Sequence, residues 1–164
     1  MFQKLATLCA VSAVFVLGIL SGRECFAAAG VGYWHTSGTQ ILDSSNQVVR
    51  IAGINWYGFE TTDEAVHGLN NQDYKTVLQA IKDNGYNTLR LPFSNQMVET
   101  PIVPSNIGYT GASGPINSDL QGLNSLQIMD AIIQYAGTIG LRVILDDHRS
   151  EAGNSAEASG LWYT

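Results

Sequence analysis

Three ionisable side chains interrupt short apolar runs of this chain. Arg90 lies inside Thr88-Leu-Arg-Leu-Pro, and Asp146 and His148 follow Ile144-Leu145. Arginine is almost never buried without a partner, so Arg90 must either meet a carboxylate or open into a cleft. Two interpretations stay open: a structural salt bridge, or a guanidinium that stays charged beside an active-site carboxylate and favours its ionised form.

The segment Asp146-Asp147-His148 suggests two kinds of site, and its spacing argues against both. Side chains alternate across a strand, so Asp146 and Asp147 point to opposite faces and cannot easily flank one bond. Asp146 and His148 share a face, but a metal ion would need a third ligand. No second His or Cys cluster supplies one, so we predict no metal and no other cofactor. A His148 that donates hydrogen bonds into a polar cleft is the favoured interpretation.

Aromatic side chains cluster just beyond the ends of the predicted strands. Aromatic faces match the apolar C–H faces of pyranose rings, and Trp and Tyr add one polar group each. Packing in the core is the alternative for any single aromatic, because Trp and Tyr are commonly buried. The residues that we expect to bind substrate are Asn55, Trp56, Phe59, Trp162 and Tyr163, with Tyr57 in the same cluster.

The acids of the chain do not form an obvious catalytic pair. Hydrolysis of a sugar linkage needs two carboxyl groups set across the scissile bond. Glu60 is the one glutamate just past the first predicted strand of the main sheet, and a lone acid in a loop is mostly solvated. The other glutamates lie in predicted loops or in a polar tail, at Glu64, Glu99, Glu151 and Glu157. We therefore predict no catalytic residue within this chain.

Apolar periodicity predicts the strands and helices that position these residues. Two helices are indicated, one over about Gln72–Asn84 and one capped by Asn124 with Gln127 three residues on. The Pro-, Gly-, Ser- and Asn-rich stretch Phe93–Gly122 shows no clear period, which is typical of a functional or disordered loop. Strands are predicted at Thr39–Leu42, Val48–Ile54, Asn87–Pro92 and Leu141–Asp146, with turn residues at 43–46.

The order of these elements predicts an α/β fold. Near-continuous apolar strands that alternate with helices indicate a parallel sheet buried on both faces, with two right-handed crossovers. A doubly wound sheet and a (β/α)8 barrel both fit, but no Gly-x-Gly-x-x-Gly follows the first strand, so a dinucleotide site is unsupported. Asn55, Arg90, Asp146 and His148 occupy strand C-terminal ends, where barrel enzymes place their sites. We predict the N-terminal part of a (β/α)8 barrel, about three βα units preceded by a β-hairpin.

Residues 1–29 have the layout of a secretory signal peptide. Lys4 precedes the mostly apolar stretch Leu5–Leu20, and an Ala-x-Ala site follows at Ala27 and Ala29, which is the usual arrangement for export with cleavage. An uncleaved membrane anchor is the alternative, because Leu5–Gly22 is just long enough to span a bilayer. We expect a secreted protein, extracellular or periplasmic, with no stable membrane association after cleavage.

Charge and cysteine content narrow the classes of partner. Both cysteines, Cys9 and Cys25, lie in the predicted signal peptide, so the remainder has no disulfide to form. The signal peptide holds two basic residues and one acid, so the remainder is one unit more negative than the formal −6 of the whole chain. This acidity argues against nucleic acid and anionic membranes as partners and suits a neutral polymer.

Seven short motifs follow one another along residues 30–164. They are Gly32-Tyr-Trp-His-Thr-Ser-Gly, Gly53-Ile-Asn-Trp-Tyr-Gly-Phe-Glu-Thr, Val66-His-Gly-Leu, Gly85-Tyr-Asn-Thr-Leu-Arg-Leu-Pro-Phe-Ser, Asp119-Leu-Gln-Gly-Leu, Ile144-Leu-Asp-Asp-His-Arg and Leu161-Trp-Tyr-Thr. In content and order they resemble family 5 glycoside hydrolases, with the nearest likeness to bacterial endo-β-1,4-glucanases. One departure is Asp147-His148-Arg149-Ser150, where relatives tend to carry Arg-His-Arg-Pro; it changes the local charge and keeps the histidine.

The resemblance implies a (β/α)8 barrel and retaining hydrolysis of cellulose-type β-1,4-glucan, a polysaccharide or oligosaccharide substrate, by two glutamates. In the family the acid/base lies in an Asn-Glu-Pro motif after the fourth strand and the nucleophile at the end of the seventh. We expect both beyond Thr164, so residues 30–164 form an incomplete catalytic domain, inactive alone. Arg90 and His148 match the family's residues that assist the glutamates and the sugar. A non-catalytic carbohydrate-binding or inactive remnant of the same family is the alternative.

Export is the first testable expectation. If residues 1–29 are a signal peptide, a bacterial host will release the protein with a new N-terminus between Ala27 and Val31. Mass spectrometry of the secreted material measures that terminus. Recovery of the uncut chain from the membrane fraction would show that the apolar stretch is an anchor instead.

Overall fold

A computed structural model describes residues 30–155 of the chain. The predicted signal peptide and the aromatic pair Trp162 and Tyr163 lie outside these residues. The strands are β1 His35–Ser37, β2 Gln40–Leu42, β3 Gly53–Asn55, β4 Thr88–Ser94, β5 Thr110–Gly111, β6 Gly114–Pro115 and β7 Arg142–Arg149. The helices are α1 Tyr74–Asp83, α2 Asn95–Glu99 and α3 Ser125–Thr138, with a 3-10 turn at Ser118–Leu120.

The central sheet is parallel, in the order β3-β4-β7. Asn55 is paired with Arg90, and Arg90 with Ile144. The main helices α1 and α3 connect these strands, as the alternating pattern predicts, and contact each other where Tyr74 and Tyr135 meet edge to face, with ring centroids 5.9 Å apart. Side chains of both helices join one buried apolar core with Leu89 and Leu91 of the middle strand.

Asn87 joins the starts of all three parallel strands. Its side chain accepts a hydrogen bond from the Ala52 N–H at 2.9 Å and donates to the Arg50 carbonyl at 2.7 Å. Its own N–H donates to the Ala52 carbonyl, and its carbonyl accepts from the Arg142 N–H, both at 2.9 Å. Asn87 is buried, so these hydrogen bonds are sheltered from water and hold the register of the sheet.

The β-branched run Val48–Ile54 does not form one strand, and that prediction was wrong. Val48 instead forms an antiparallel bridge with Leu42 of the N-terminal hairpin. Only Gly53–Asn55 enters the parallel sheet. The run is therefore divided between two sheets, a division that a uniform β propensity does not reveal.

Asp43 closes the turn of that hairpin. Its carboxylate accepts backbone hydrogen bonds from Ser45 at 2.8 Å, from Gln47 at 2.9 Å and from Val31 at 3.0 Å. The backbone N–H groups of Gln47 and Val31 favour the ionised form, which lowers the pKa of Asp43 below its ordinary value of 3.8. The charged carboxylate therefore ties the N-terminal segment to the turn.

Both main helices begin at side-chain caps, and the cap of α3 is the one that its sequence indicates. The Asn124 side chain accepts from the Gln127 N–H, and the Gln127 side chain accepts from the Asn124 N–H, both at 3.0 Å, which confirms the predicted capping box. At the start of α1, Asp73 accepts from the Lys75 N–H at 2.9 Å. The observed α1 lies within two residues of the predicted helix at each end.

The segment Phe93–Gly122 is not a loop without structure, so that part of the prediction was wrong. It contains α2, the β5–β6 hairpin and the 3-10 turn. Met97, Ile107 and Leu120 anchor it in the core. Its three anchors are too widely spaced for a periodic signal, which is why the pattern was missed.

Asn117 holds this segment against the start of α1. Its side-chain amide donates to the carbonyls of Leu69, Gln72 and Gly108 at 2.9 to 3.1 Å, and its Oδ1 accepts from the Tyr74 N–H at 2.9 Å. Its φ of 48° lies in the left-handed region that asparagine tolerates better than most residues.

In residues 30–155 no helix is long and apolar enough to cross a membrane.

Replacing Asn117 by Asp will destabilise the fold, because a carboxylate oxygen would replace the buried donor that three carbonyls share. We expect a loss of about 3 kcal/mol in the free energy of unfolding, measured by urea titration. N117G, which keeps the left-handed backbone, separates the hydrogen bonds from conformational strain. N84D alters an exposed asparagine with one carbonyl partner, Ala80. Equal losses in N117D and N84D would contradict the prediction.

The pKa of Asp43 makes a second prediction about stability. Because the folded pKa is below 3.8, the ionised carboxylate stabilises the fold above that value, and the contribution is lost as pH falls through the lowered pKa. Wild type will therefore exceed D43N in melting temperature above about pH 5, and the gap will close toward about pH 2. D83N, which alters an exposed carboxylate, serves as the control. A gap that is constant with pH would refute the charged role.

Candidate active site

The polar residues identified from the sequence lie toward the C-terminal ends of β3 and β7, and Arg90, the third residue of β4, reaches this end of the sheet with its side chain. Asn55 ends β3 and is exposed. Arg90 lies opposite it in β4, and the Arg90 carbonyl accepts from the Trp56 N–H at 3.0 Å. Asp146 and His148 lie in the second half of β7. The observed strand ends at Arg149, three residues beyond the predicted end at Asp146. The C-terminal ends of parallel strands are where barrel enzymes collect their catalytic groups.

Arg90, Asp146 and His148 form one charged cluster. Nη2 of Arg90 donates to Oδ2 of Asp146 at 2.5 Å, and Nδ1 of His148 lies 2.9 Å from the same oxygen. The predicted carboxylate partner of Arg90 is therefore Asp146, and the predicted shared face of Asp146 and His148 is confirmed. Half of the His148 side chain, 51%, is exposed, compared with about a third of each partner. The histidine is thus the member of the cluster most accessible to a ligand.

Two predicted sugar-binding aromatics are packed into the core. Phe59 has 0% exposed surface and forms a parallel bridge with Phe93 that prolongs the β3–β4 pairing. Trp56 is 8% exposed, and its indole N–H donates to the His67 carbonyl at 2.9 Å. The expectation of sugar contact is wrong for Phe59, because no ring surface is available. For Trp56, packing and a hydrogen bond to the main chain account for the residue.

A cleft of about 340 Å³ opens beside the charged cluster. Tyr57, half exposed at 53%, forms one side of it, and its ring is tilted against His67 with centroids 4.4 Å apart. Nε2 of His67 lies 3.0 Å from Oδ2 of Asp63. The residues that line the cleft are Tyr57, Glu60, Thr61, His67, His148, Arg149, Gly153, Asn154 and Ser155. His67 was not among the predicted site residues, although the Val66-His-Gly-Leu motif was the signal that contained it.

The walls of the cleft are the loops that follow β3 and β7, and hydrogen bonds join them. The Gly153 N–H donates to the Glu60 carbonyl at 3.0 Å. The Asn154 amide donates to the Thr62 hydroxyl at 3.0 Å and accepts from the Thr62 N–H at 3.4 Å. Arg149 organises the second loop from within, since its guanidinium donates to carbonyls on that loop, those of Glu151, Gly153 and Ser155.

Two glutamates of the described residues, Glu60 and Glu64, make structural hydrogen bonds. Glu60 lines the cleft, and its Oε2 accepts from the Gly58 N–H at 2.7 Å. Glu64, expected to be a solvated loop acid, is buried, and its Oε2 accepts from the Ser125 hydroxyl at 3.1 Å. Ser125 begins α3, so the carboxylate faces the positive end of a helix, which compensates for its burial. No group of three or more His, Cys, Asp or Glu side chains in the described range could hold a metal ion.

This chain is similar in sequence to known endoglucanases. A family model described as "Cellulase (glycosyl hydrolase family 5)" matches residues 42–163. An endoglucanase of Paenibacillus polymyxa is 42% identical over 138 residues, 84% of this chain and 33% of that protein. The major extracellular endoglucanase of Xanthomonas campestris pv. campestris is 36% identical over 148 residues, 90% of this chain and 29% of that protein.

Solved structures agree with the sequence relatives. An endocellulase variant of Pyrococcus horikoshii in complex with cellotetraose superimposes with a TM-score of 0.68 at 39% identity, covering 80% of this chain and 34% of that chain. The catalytic domain of the Xanthomonas endoglucanase gives 0.68 at 37% identity, covering 80% and 36%. The predicted partial (β/α)8 barrel is confirmed by these neighbours. The chain spans about a third of the length of the relatives that it matches.

Proposed function

The chain belongs to glycosyl hydrolase family 5, the cellulase family, and from this membership we propose that it forms the N-terminal part of the catalytic barrel of a secreted endo-β-1,4-glucanase. The observation that carries the proposal is the Arg90–Asp146–His148 cluster beside a cleft at the C-terminal ends of three parallel strands. The relatives named endoglucanase and the cellotetraose complex of the Pyrococcus enzyme support a β-glucan or its oligosaccharides as substrate.

In this proposal hydrolysis is retaining and two glutamates carry it, one as acid/base and one as nucleophile. The sequence has no Asn-Glu-Pro motif, so the proposal places both glutamates in the part of the barrel that this chain does not span. Arg90 is permanently charged, and a guanidinium near the nucleophile favours its ionised form. Tyr57 offers an aromatic face to a pyranose ring, and His148 offers a ring nitrogen to its hydroxyl groups.

Secretion is part of the same proposal. It rests on the layout of residues 1–29 and on the relative whose name describes it as extracellular. An acidic enzyme with a neutral polymer as substrate needs no electrostatic attraction to it, which is consistent with the net charge.

Non-catalytic carbohydrate binding is the second candidate function. The observation that favours it is that the described residues form a cleft with a half-exposed tyrosine. A binding module needs an aromatic surface and polar groups, and it needs no carboxylate pair. The two functions differ in whether Arg90 affects turnover.

A chimera tests the catalytic proposal. Residues 42–155 of this chain replace the aligned segment of the Paenibacillus endoglucanase, which supplies the rest of the barrel. We expect the chimera to release reducing sugar from carboxymethyl cellulose, and R90A to lower kcat/KM by about 100-fold or more, because a charge in the site is removed. R50A removes an exposed arginine and leaves kcat/KM within about twofold.

Two results would count against the catalytic proposal. One is full activity of the R90A chimera. The other is a chimera that circular dichroism shows to be folded but that hydrolyses nothing. In the second case, calorimetric binding of cellotetraose to the chain alone would favour the non-catalytic function.

A further inference from the structure

A single carboxylate oxygen contacts both Arg90 and His148. Oδ2 of Asp146 lies 2.5 Å from Nη2 of Arg90 and 2.9 Å from Nδ1 of His148. The same Arg90 nitrogen is 3.3 Å from Nδ1 of His148. Both hydrogen-bonding contacts of His148 in the described residues therefore involve Nδ1 and neither involves Nε2, and the His148 side chain lines the cleft.

These two contacts require opposite protonation states of Nδ1. A guanidinium can only donate, so a hydrogen bond from Arg90 would require a lone pair on Nδ1. An ionised carboxylate can only accept, so a hydrogen bond to Asp146 requires a proton there. The carboxylate contact is the shorter by 0.4 Å, and it pairs a donor with a full negative charge. Arg90 already has its acceptor in Asp146, so the carboxylate contact prevails.

We propose that Asp146 is a positioning residue that holds the proton of neutral His148 on Nδ1, so that Nε2 presents a lone pair to a donor hydroxyl of the bound sugar. That the ligand is a sugar rests on the function proposed above. Without Asp146, the ring would favour the Nε2–H tautomer that free histidine prefers and would donate into the cleft instead. The inference reverses the expectation from sequence that His148 is a donor.

The cleft contains a second histidine with the opposite arrangement. Oδ2 of Asp63 lies 3.0 Å from Nε2 of His67 without the alignment of a hydrogen bond, whereas Oδ2 of Asp146 lies 2.9 Å from Nδ1 of His148. Each histidine has a carboxylate at one ring nitrogen, and the nitrogen differs. His67 and Asp63 therefore provide an internal control for any measurement of tautomers in this cleft.

Long-range 1H–15N correlation spectra of the full chain, labelled with 15N-histidine, measure the tautomers directly. At about pH 9, above the ordinary histidine pKa, we expect His148 to be mainly Nδ1–H, with its signals assigned by their absence in H148Q. In D146A the ratio of Nδ1–H to Nε2–H will fall by about tenfold or more, because a charged acceptor is removed. D63A removes the carboxylate beside His67 and leaves the His148 ratio unchanged.

Two spectra would overturn the proposal: a neutral His148 in wild type that is mainly Nε2–H, or a ratio that is the same in wild type and D146A. If D146A does not fold, D146N decides, since it keeps the shape and loses the charge; it must lower the ratio by at least about threefold.

Activity gives a separate readout in the chimera. D146A must lower kcat/KM there, and unchanged activity overturns the positioning role even if the tautomer is as expected. A parent chimera that is inactive, together with the expected tautomers in the chain, supports the assignment of the proton and counts against the proposed function alone.

Discussion

The cleft depends on the register of three parallel strands, and Asn87 sets that register where the strands begin. Its side chain and main chain bind Arg50 and Ala52, which directly precede β3, and Arg142, which begins β7. A slip of one residue would send alternate side chains to the other face of the sheet. Arg90, three residues further along, would then be unable to reach Asp146. A buried amide at one end of the sheet therefore determines which charges meet at the other.

At that other end, Arg90 lies inside an apolar strand and needs a compensating charge. Burial of a guanidinium is unfavourable unless a carboxylate compensates it, and Asp146 does so from the neighbouring strand. The same carboxylate then orients His148, two residues further along its own strand and on the same face. The ion pair between Arg90 and Asp146 thus compensates the charge of the arginine, and its carboxylate also orients the ring of His148. The positions of the three residues therefore depend on one another.

The sequence predicted features that depend on neighbours in the chain and missed those that depend on distant contacts. The Asn124 capping box and the shared face of Asp146 and His148 follow from spacing alone, and both were predicted correctly. The burial of Phe59 could not be derived in this way, because an aromatic at a strand end suits both a core and a sugar site. Glu64 was misjudged for a related reason, since only the folded chain brings the start of α3 to it.

The link between Thr62 and Asn154 joins residues 92 positions apart, whereas Asn87 and Ala52 are 35 apart. Closing longer loops costs more chain entropy, so contacts between distant residues form later. The pairing of β3 with β4 can therefore form early in folding, while the wall of the cleft is assembled late. Until then, Tyr57 and its neighbours are open to chaperones and proteases rather than to substrate.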